Sequence, residues 1–198
     1  MKKLLLLVFL FPMIVIGQEI QSWNTLNIKG KINDKWTIAM EPESRYSDKL
    51  EYFHLDVGIV YKVNDKLKVG GYYREIFEIK NDIRVREIRP HIDVFYKPCS
   101  SFSLRIRNEY QIKEFTDNLW RIRFRPTYTY KVNKWFAPFV QTEPFFTHKG
   151  FVRNRFNIGP GFVIGKLWLK PGYMLQTDVK NNTIKQTHIV WINTGFKF

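Results

Sequence analysis

The sequence has one cysteine, Cys99, so no internal disulfide can form. It has no C-x-x-C and no H-E-x-x-H, and its histidines, His54, His91, His148 and His188, share no metal-ligand spacing. There is no glycine-rich phosphate loop, because Gly70-Gly71 and Gly159-Pro160-Gly161 fall within strand-like stretches, where glycine relieves crowding or permits a bend. Acidic residues are scarce: 18 Asp and Glu stand against 32 Lys and Arg, for a formal net charge of +14. Apart from an N-terminal stretch there is no long apolar run, and no stripe of period 3.6. These absences exclude a disulfide scaffold and a bundle of membrane-spanning helices. They leave no motif for a metal or nucleotide cofactor, and none is expected.

Aromatic residues are plentiful, at 17% of 198, which a lipid-facing surface would use. The most informative stretch is Trp120–Lys131. Trp120, Ile122, Phe124, Pro126, Tyr128 and Tyr130 share one parity, and Arg121, Arg123, Arg125, Thr127, Thr129 and Lys131 share the other. Period two means an extended strand with one apolar and one cationic face. In a soluble sandwich the apolar face would be core. In an outer-membrane barrel it would meet lipid, with the arginines lining the lumen. The stretch is about twice the roughly 5–6 residues of a usual soluble strand, and exceeds the roughly 9–11 that a tilted membrane strand needs.

Residues 1–17 have a secretory layout: Lys2 and Lys3, the apolar run Leu4–Ile16, then Val15-Ile16-Gly17 before Gln18. The expected organisation is therefore a signal peptide over 1–17 and one domain over 18–198. That domain contains eleven strand-like segments: Gln18–Lys31, Lys35–Arg45, Tyr52–Lys62, Leu67–Lys80, Arg84–Tyr96, Phe102–Ile112, Trp120–Lys131, Trp135–Phe146, Arg153–Ile164, Leu167–Asp178 and Thr183–Phe198. Turn chemistries such as Asn33-Asp34, Asn64-Asp65 and Asn133-Lys134 alternate with connections near Tyr46–Glu51 and Glu114–Asn118 that read as more polar and mostly longer. Short turns at one end and longer loops at the other is the membrane-barrel layout, with the short turns in the periplasm. Trp36, Tyr61, Tyr96, Phe102, Tyr130 and Phe136 lie beside the short turns, as one interfacial girdle would. Eleven conflicts with the even strand numbers of single-chain bacterial barrels. Either Gln18–Lys31 enters the lumen, leaving ten staves, or there are twelve, so the expectation is about 10–12 strands.

Tyr72-Tyr73-Arg74, Leu104-Arg105-Ile106-Arg107, Trp120-Arg121-Ile122-Arg123, Pro138-Phe139-Val140-Gln141-Thr142-Glu143 and the Phe198 ending together resemble the bacterial family called domain of unknown function 2490. The resemblance spans the mature chain. It implies a small antiparallel transmembrane β-barrel of the outer membrane, and supplies no catalytic residues. The terminal phenylalanine resembles the assembly signal read by the barrel assembly machinery.

The candidate site is a lumenal charge network: His91, Asp93, Arg105, Arg107, Glu109, Arg121, Arg123, Arg125, Glu143, Arg153 and Arg155. Pairing the strands as antiparallel neighbours sets Glu143 opposite Arg123 and Arg155, Glu109 near Arg123 and His91, and Asp93 opposite Arg107. Such charges either pair into a salt-bridged plug or form a narrow cationic constriction for small anionic solutes. A lipid-modifying esterase or acyltransferase built on His91 and a serine is the alternative class, but no serine clearly faces His91. Expected partners are outer-membrane lipids and lipopolysaccharide. Nucleic acid is not expected, because the arginines alternate with apolar residues instead of forming a polar patch.

Overall fold

The computed structural model describes residues 20–80, 82–180 and 183–198, so the secretory layout of 1–17 lies outside the described residues. The described chain forms strands and turns without a helix. The strands are β1 (Ile20–Lys31), β2 (Trp36–Tyr46), β3 (Leu50–Lys62), β4 (Leu67–Lys80), β5 (Ile83–Tyr96) and β6 (Phe102–Lys113). They continue with β7 (Leu119–Thr129), β8 (Phe139–Thr147), β9 (Gly150–Gly159), β10 (Phe162–Ile164), β11 (Leu167–Lys180) and β12 (Thr183–Lys197). Strands pair with their chain neighbours, except that β9 and β10 both pair with β11, and β12 pairs with β1, so the sheet closes on itself. Closure removes every free edge, the condition for a sheet to stand in hydrocarbon.

β9 and β10 both pair with β11 and are one stave interrupted at Pro160-Gly161. The twelve strands of the sheet thus make eleven staves. Eleven lies within the expected 10–12 and settles the choice between ten and twelve in favour of the segments counted. β1 does not enter the lumen but stands in the wall, with Ile20 to Lys29 in register with His188 to Lys197. An up-and-down meander reverses direction at each step, so an odd number of staves returns to its start running the same way. The closing β1–β12 pair is accordingly parallel, and the sheet is mixed where the sequence reads as purely antiparallel. The pairing runs on past β12: Phe198 N–H donates to the Lys29 carbonyl at 3.0 Å, and Lys31 N–H donates to the Phe198 carbonyl at 3.1 Å.

The expected contrast in loop length is absent. Residues 32–35, 63–66, 97–101, 130–138 and 165–166 connect strands at one end, here the lower. The upper end is joined by 47–49, 81–82, 114–118, 148–149 and 181–182. The lower end is distinguished instead by a repeated turn. Asn33 Oδ1 accepts from the backbone N–H of Lys35 and Trp36, Asn64 Oδ1 from Lys66 and Leu67, and Asn133 Oδ1 from Trp135 and Phe136, all at 2.9 Å. An asparagine side chain bonding two to three residues on fixes a tight reversal. Beside these turns Trp36 packs on Tyr61 with ring centroids 4.7 Å apart, and Phe136 on Phe162 at 5.5 Å.

Parity decides the two faces. Trp120, Tyr128 and Tyr130 project outward, 61%, 50% and 61% exposed. Ile38, Val57, Ile59, Tyr73, Ile92, Ile158, Val190 and Ile192 extend the same exposed apolar surface around the wall. Ordinary soluble monomers rarely show apolar patches above a few hundred Å². The inner face carries the polar parity, with Tyr72 lying over two glycines. A Cβ on Gly58 would stand 2.1 Å from Tyr72 Cδ1 and 2.6 Å from the Gly71 carbonyl oxygen. Tyr72 has little room to yield, because its ring stacks on His91 at 4.9 Å and 7°. Gly58→Ala is expected to cost about 1–3 kcal/mol through overpacking. Gly71→Ala, whose Cβ meets nothing within 4 Å, should cost far less. Equal unfolding midpoints for the two variants would contradict this packing.

Candidate functional site

The barrel interior is filled at mid-height by ion pairs. Glu143 on β8 is 1% exposed and is shared among three arginines. Arg123 donates to it from Nε at 3.1 Å and Nη2 at 2.8 Å, Arg125 from Nη2 at 2.8 Å, and Arg105 from Nη2 at 3.2 Å. Glu109 on β6, fully buried, accepts from Arg121 Nε, from Arg123 Nη1 at 3.2 Å and from Gln111 Nε2 at 3.0 Å. Asp93 on β5 receives Arg107 in a two-pronged bond, Nε and Nη2 each at 2.7 Å. Bidentate pairs of this kind are the geometry that best offsets the desolvation of two charges.

Two details of the expected register are corrected. The β7–β8 ladder pairs Arg123 with Phe145 and Thr127 with Gln141, so Glu143 is not directly opposite Arg123 but two positions away. Pro144 lacks an N–H, and the ladder is interrupted around it. The guanidinium nevertheless spans the offset. Arg155 does stand opposite Glu143 in the β8–β9 ladder, yet its Nε donates to Gln176 Oε1 at 2.8 Å, and no ion pair joins it to Glu143. Glu143 is held by Arg105 and Arg125 in place of Arg155. Arg153 pairs with Asp178 near the upper end. His91 stands opposite Glu109 in the ladder, but its Nδ1 lies 3.2 Å from the Arg89 carbonyl and its Nε2 3.5 Å from Asp56 Oδ2. No serine is among the partners of His91.

The network extends beyond the nominated residues. On β2, β3 and β4, Asp56 holds Arg74 through two bonds of 2.6 and 3.1 Å, and Glu43 holds Arg45. The Arg45 guanidinium lies between Trp23, at 3.6 Å from the ring centroid, and Tyr52, at 3.9 Å. Phe145, fully buried, is ringed by Arg123 at 4.6 Å, Arg155 at 4.9 Å, Arg121 at 5.1 Å and Arg153 at 5.8 Å. Aromatic faces thus supply part of the counter-charge that carboxylates do not. The parity signal was available for these residues: Phe145 sits on the same face as Glu143, and His54 and Asp56 on the polar face of β3. Trp23, Phe139, Met174, Ile189 and Trp191 close the rest of the interior as an apolar cluster, with Trp191 edge-on to Phe139 at 5.8 Å.

One group has metal-like spacing among the described residues: Glu41, Glu43 and His54 place a ligand atom each within 4.8 Å of one another. Both carboxylates already serve cations, Glu43 binding Arg45 at 2.6 Å and Glu41 lying 3.4 Å from Arg74. A divalent ion would have to displace or crowd two guanidiniums. The carboxylates fit their arginines better than a metal.

Comparison with known proteins agrees with this architecture. Residues 20–187 match the family model described as "Protein of unknown function (DUF2490)". Among solved structures the chain is similar to one titled "NanC porin structure in rhombohedral crystal form", with a TM-score of 0.58 and 14% identity, covering 87% of this chain and 91% of the other. That likeness is one of fold. No curated protein matches.

Proposed function

The chain belongs to the DUF2490 family, and on that premise we propose that it is an exported, integral protein of the bacterial outer membrane, closed from within by salt bridges and structural in role. The observation that carries this reading is the burial of the mid-barrel charges. Glu109, Glu143, Asp93, Arg107 and Arg123 line the interior of a barrel, yet are at most 3% exposed. Water of the kind that fills a conducting lumen would reach them. The outer-membrane address is supported by the apolar exterior, the aromatics gathered at the lower end and the porin-like fold. Outer-membrane lipid and lipopolysaccharide are the partners this exterior suits. The barrel assembly machinery would engage the last strand and Phe198.

Fractionation and processing test the address. The protein should remain with outer membranes after alkaline extraction and migrate differently in gels before and after boiling. Its mature N-terminus should follow Gly17 or Gln18, as residues 1–17 imply. Release as a soluble periplasmic protein, or a mature chain still beginning at Met1, would contradict the reading.

A further inference from the structure

The mid-barrel arginines have carboxylate partners, and five lysines of the lower mouth do not. Lys29, Lys31, Lys68, Lys170 and Lys197 come from β1, β4, β11 and β12, share the inward parity of their strands and lie near the lower turns. Among the described residues none of them has a carboxylate within ion-pair distance. Lys68 lies in the field of the like charges Lys197, Lys62, Lys97 and Lys31, and Lys170 in that of Lys29, Lys97 and Arg125. Glu41, deeper in the wall, lends Lys29 some opposite charge, against Lys68, Arg105 and Lys197.

The ladder sharpens the point. Lys29 is directly opposite Lys197, Lys62 opposite Lys68, and Arg105 opposite Arg125. Like charges directly opposite on neighbouring strands are destabilising. Lys62 is relieved by Asp65 at 2.6 Å, whereas Arg105 and Arg125 share Glu143 with Arg123. Arg105 also leaves its Nε buried without a partner. Lys170 stands over two rings, Phe139 at 5.2 Å and Trp168 at 5.5 Å, which hold its ammonium at the wall. The result is a band of positive charge on the inner wall of the lower mouth, next to the Arg105–Arg125 pair. Low-dielectric walls lined by one sign of charge concentrate counter-ions.

We propose that the lower mouth is a binding site for a small solute carrying clustered phosphate or carboxylate groups. The anion sits among the lysines, with Arg105 and Arg125 beneath it, and supplies the ion-pair partner that these lysines do not find in the chain. Because these side chains face inward, a soluble anion reaches them and a lipid headgroup outside the wall does not. The site is independent of the membrane in which the barrel resides and of whether the barrel conducts.

Calorimetric titration of pyrophosphate into the full chain, folded in a zwitterionic detergent at constant ionic strength, tests the proposal. Wild type should show saturable binding that matched sodium chloride does not produce. Lys29→Gln combined with Lys170→Gln should weaken it by about tenfold or more, since each removed charge is worth on the order of 1 kcal/mol even in water. Lys35→Gln, which removes a charge from a lower-end turn outside the lysine cluster, should change it by less than about twofold on the same scale. Without the anion, Lys197→Gln should unfold at higher denaturant than wild type, because a like-charge pair is relieved. Absence of saturable binding, equal weakening by Lys35→Gln, or binding seen only with anionic-lipid vesicles would each overturn the site.

Discussion

Replacing Glu143 by glutamine is expected to destabilise the folded barrel by about 3–5 kcal/mol, the usual cost of removing one partner from a buried ion pair. The cost is high because Glu143 is shared. Arg105, Arg123 and Arg125 all lie within 3.2 Å of its oxygens, and the amide would leave three guanidiniums crowded without their common anion. The shape of the side chain barely changes, so the effect isolates charge. Asp178→Asn is the control. Asp178 pairs with Arg153 near the upper end, and their side chains are 26% and 28% exposed. A pair that water reaches in this way is worth much less than a buried one, about 0–1 kcal/mol at the surface limit. Denaturant titration of both variants in lipid vesicles should therefore separate them by several kcal/mol. Similar small losses would mean that the interior is wet.

Ile92→Arg is expected to cost about 2–4 kcal/mol in lipid vesicles, the range for an outward-facing arginine near the bilayer midplane. Ile92 is 58% exposed on the outer face of β5, well inside a strand that spans Ile83–Tyr96. If that face met water, the same change would fall within about 0.5 kcal/mol, as surface substitutions usually do. The measurement thus tests the medium outside the wall, where the Glu143 variant tests the medium inside it.

The strands were legible because period-two alternation is strong wherever one face is apolar and the other charged, as in β3, β5 and β7. β1 was less so. Its outward parity includes Ser22, Asn24 and Leu26, and its inward parity Trp23, Thr25 and Asn27, so neither face of the sequence declares itself. That ambiguity leaves its place open between lumen and wall, and the even-number tendency of bacterial barrels argues for ten or twelve where the pattern itself shows eleven segments. Loop lengths misled for a simpler reason. Residues near strand ends, such as Tyr46 and Glu51, read as connection, but Tyr46 is in β2 and Glu51 in β3.

The inward face of the candidate site was also legible, and its exact partners were not. Neighbour-by-neighbour pairing cannot foresee that Pro144 interrupts the β7–β8 ladder, nor that Arg105 on β6 reaches across β7 to Glu143 on β8. A long guanidinium in a narrow, curved barrel selects partners by reach across the interior, not by adjacency alone. Similarly, Phe145 was not expected to gather arginines, because an aromatic on a polar parity looks like an exception until the interior shows four guanidiniums around it.

Single-channel recording of the wild-type protein in planar bilayers tests the closed interior most directly. With Glu109 and Glu143 sealed among arginines at 0% and 1% exposure, inserted protein should give no current steps in either polarity. The same preparation should show the folded, heat-shifted band, so that silence is not failure to insert. Discrete steps carried chiefly by anions would mean an open cationic lumen, and would contradict the closed barrel proposed here.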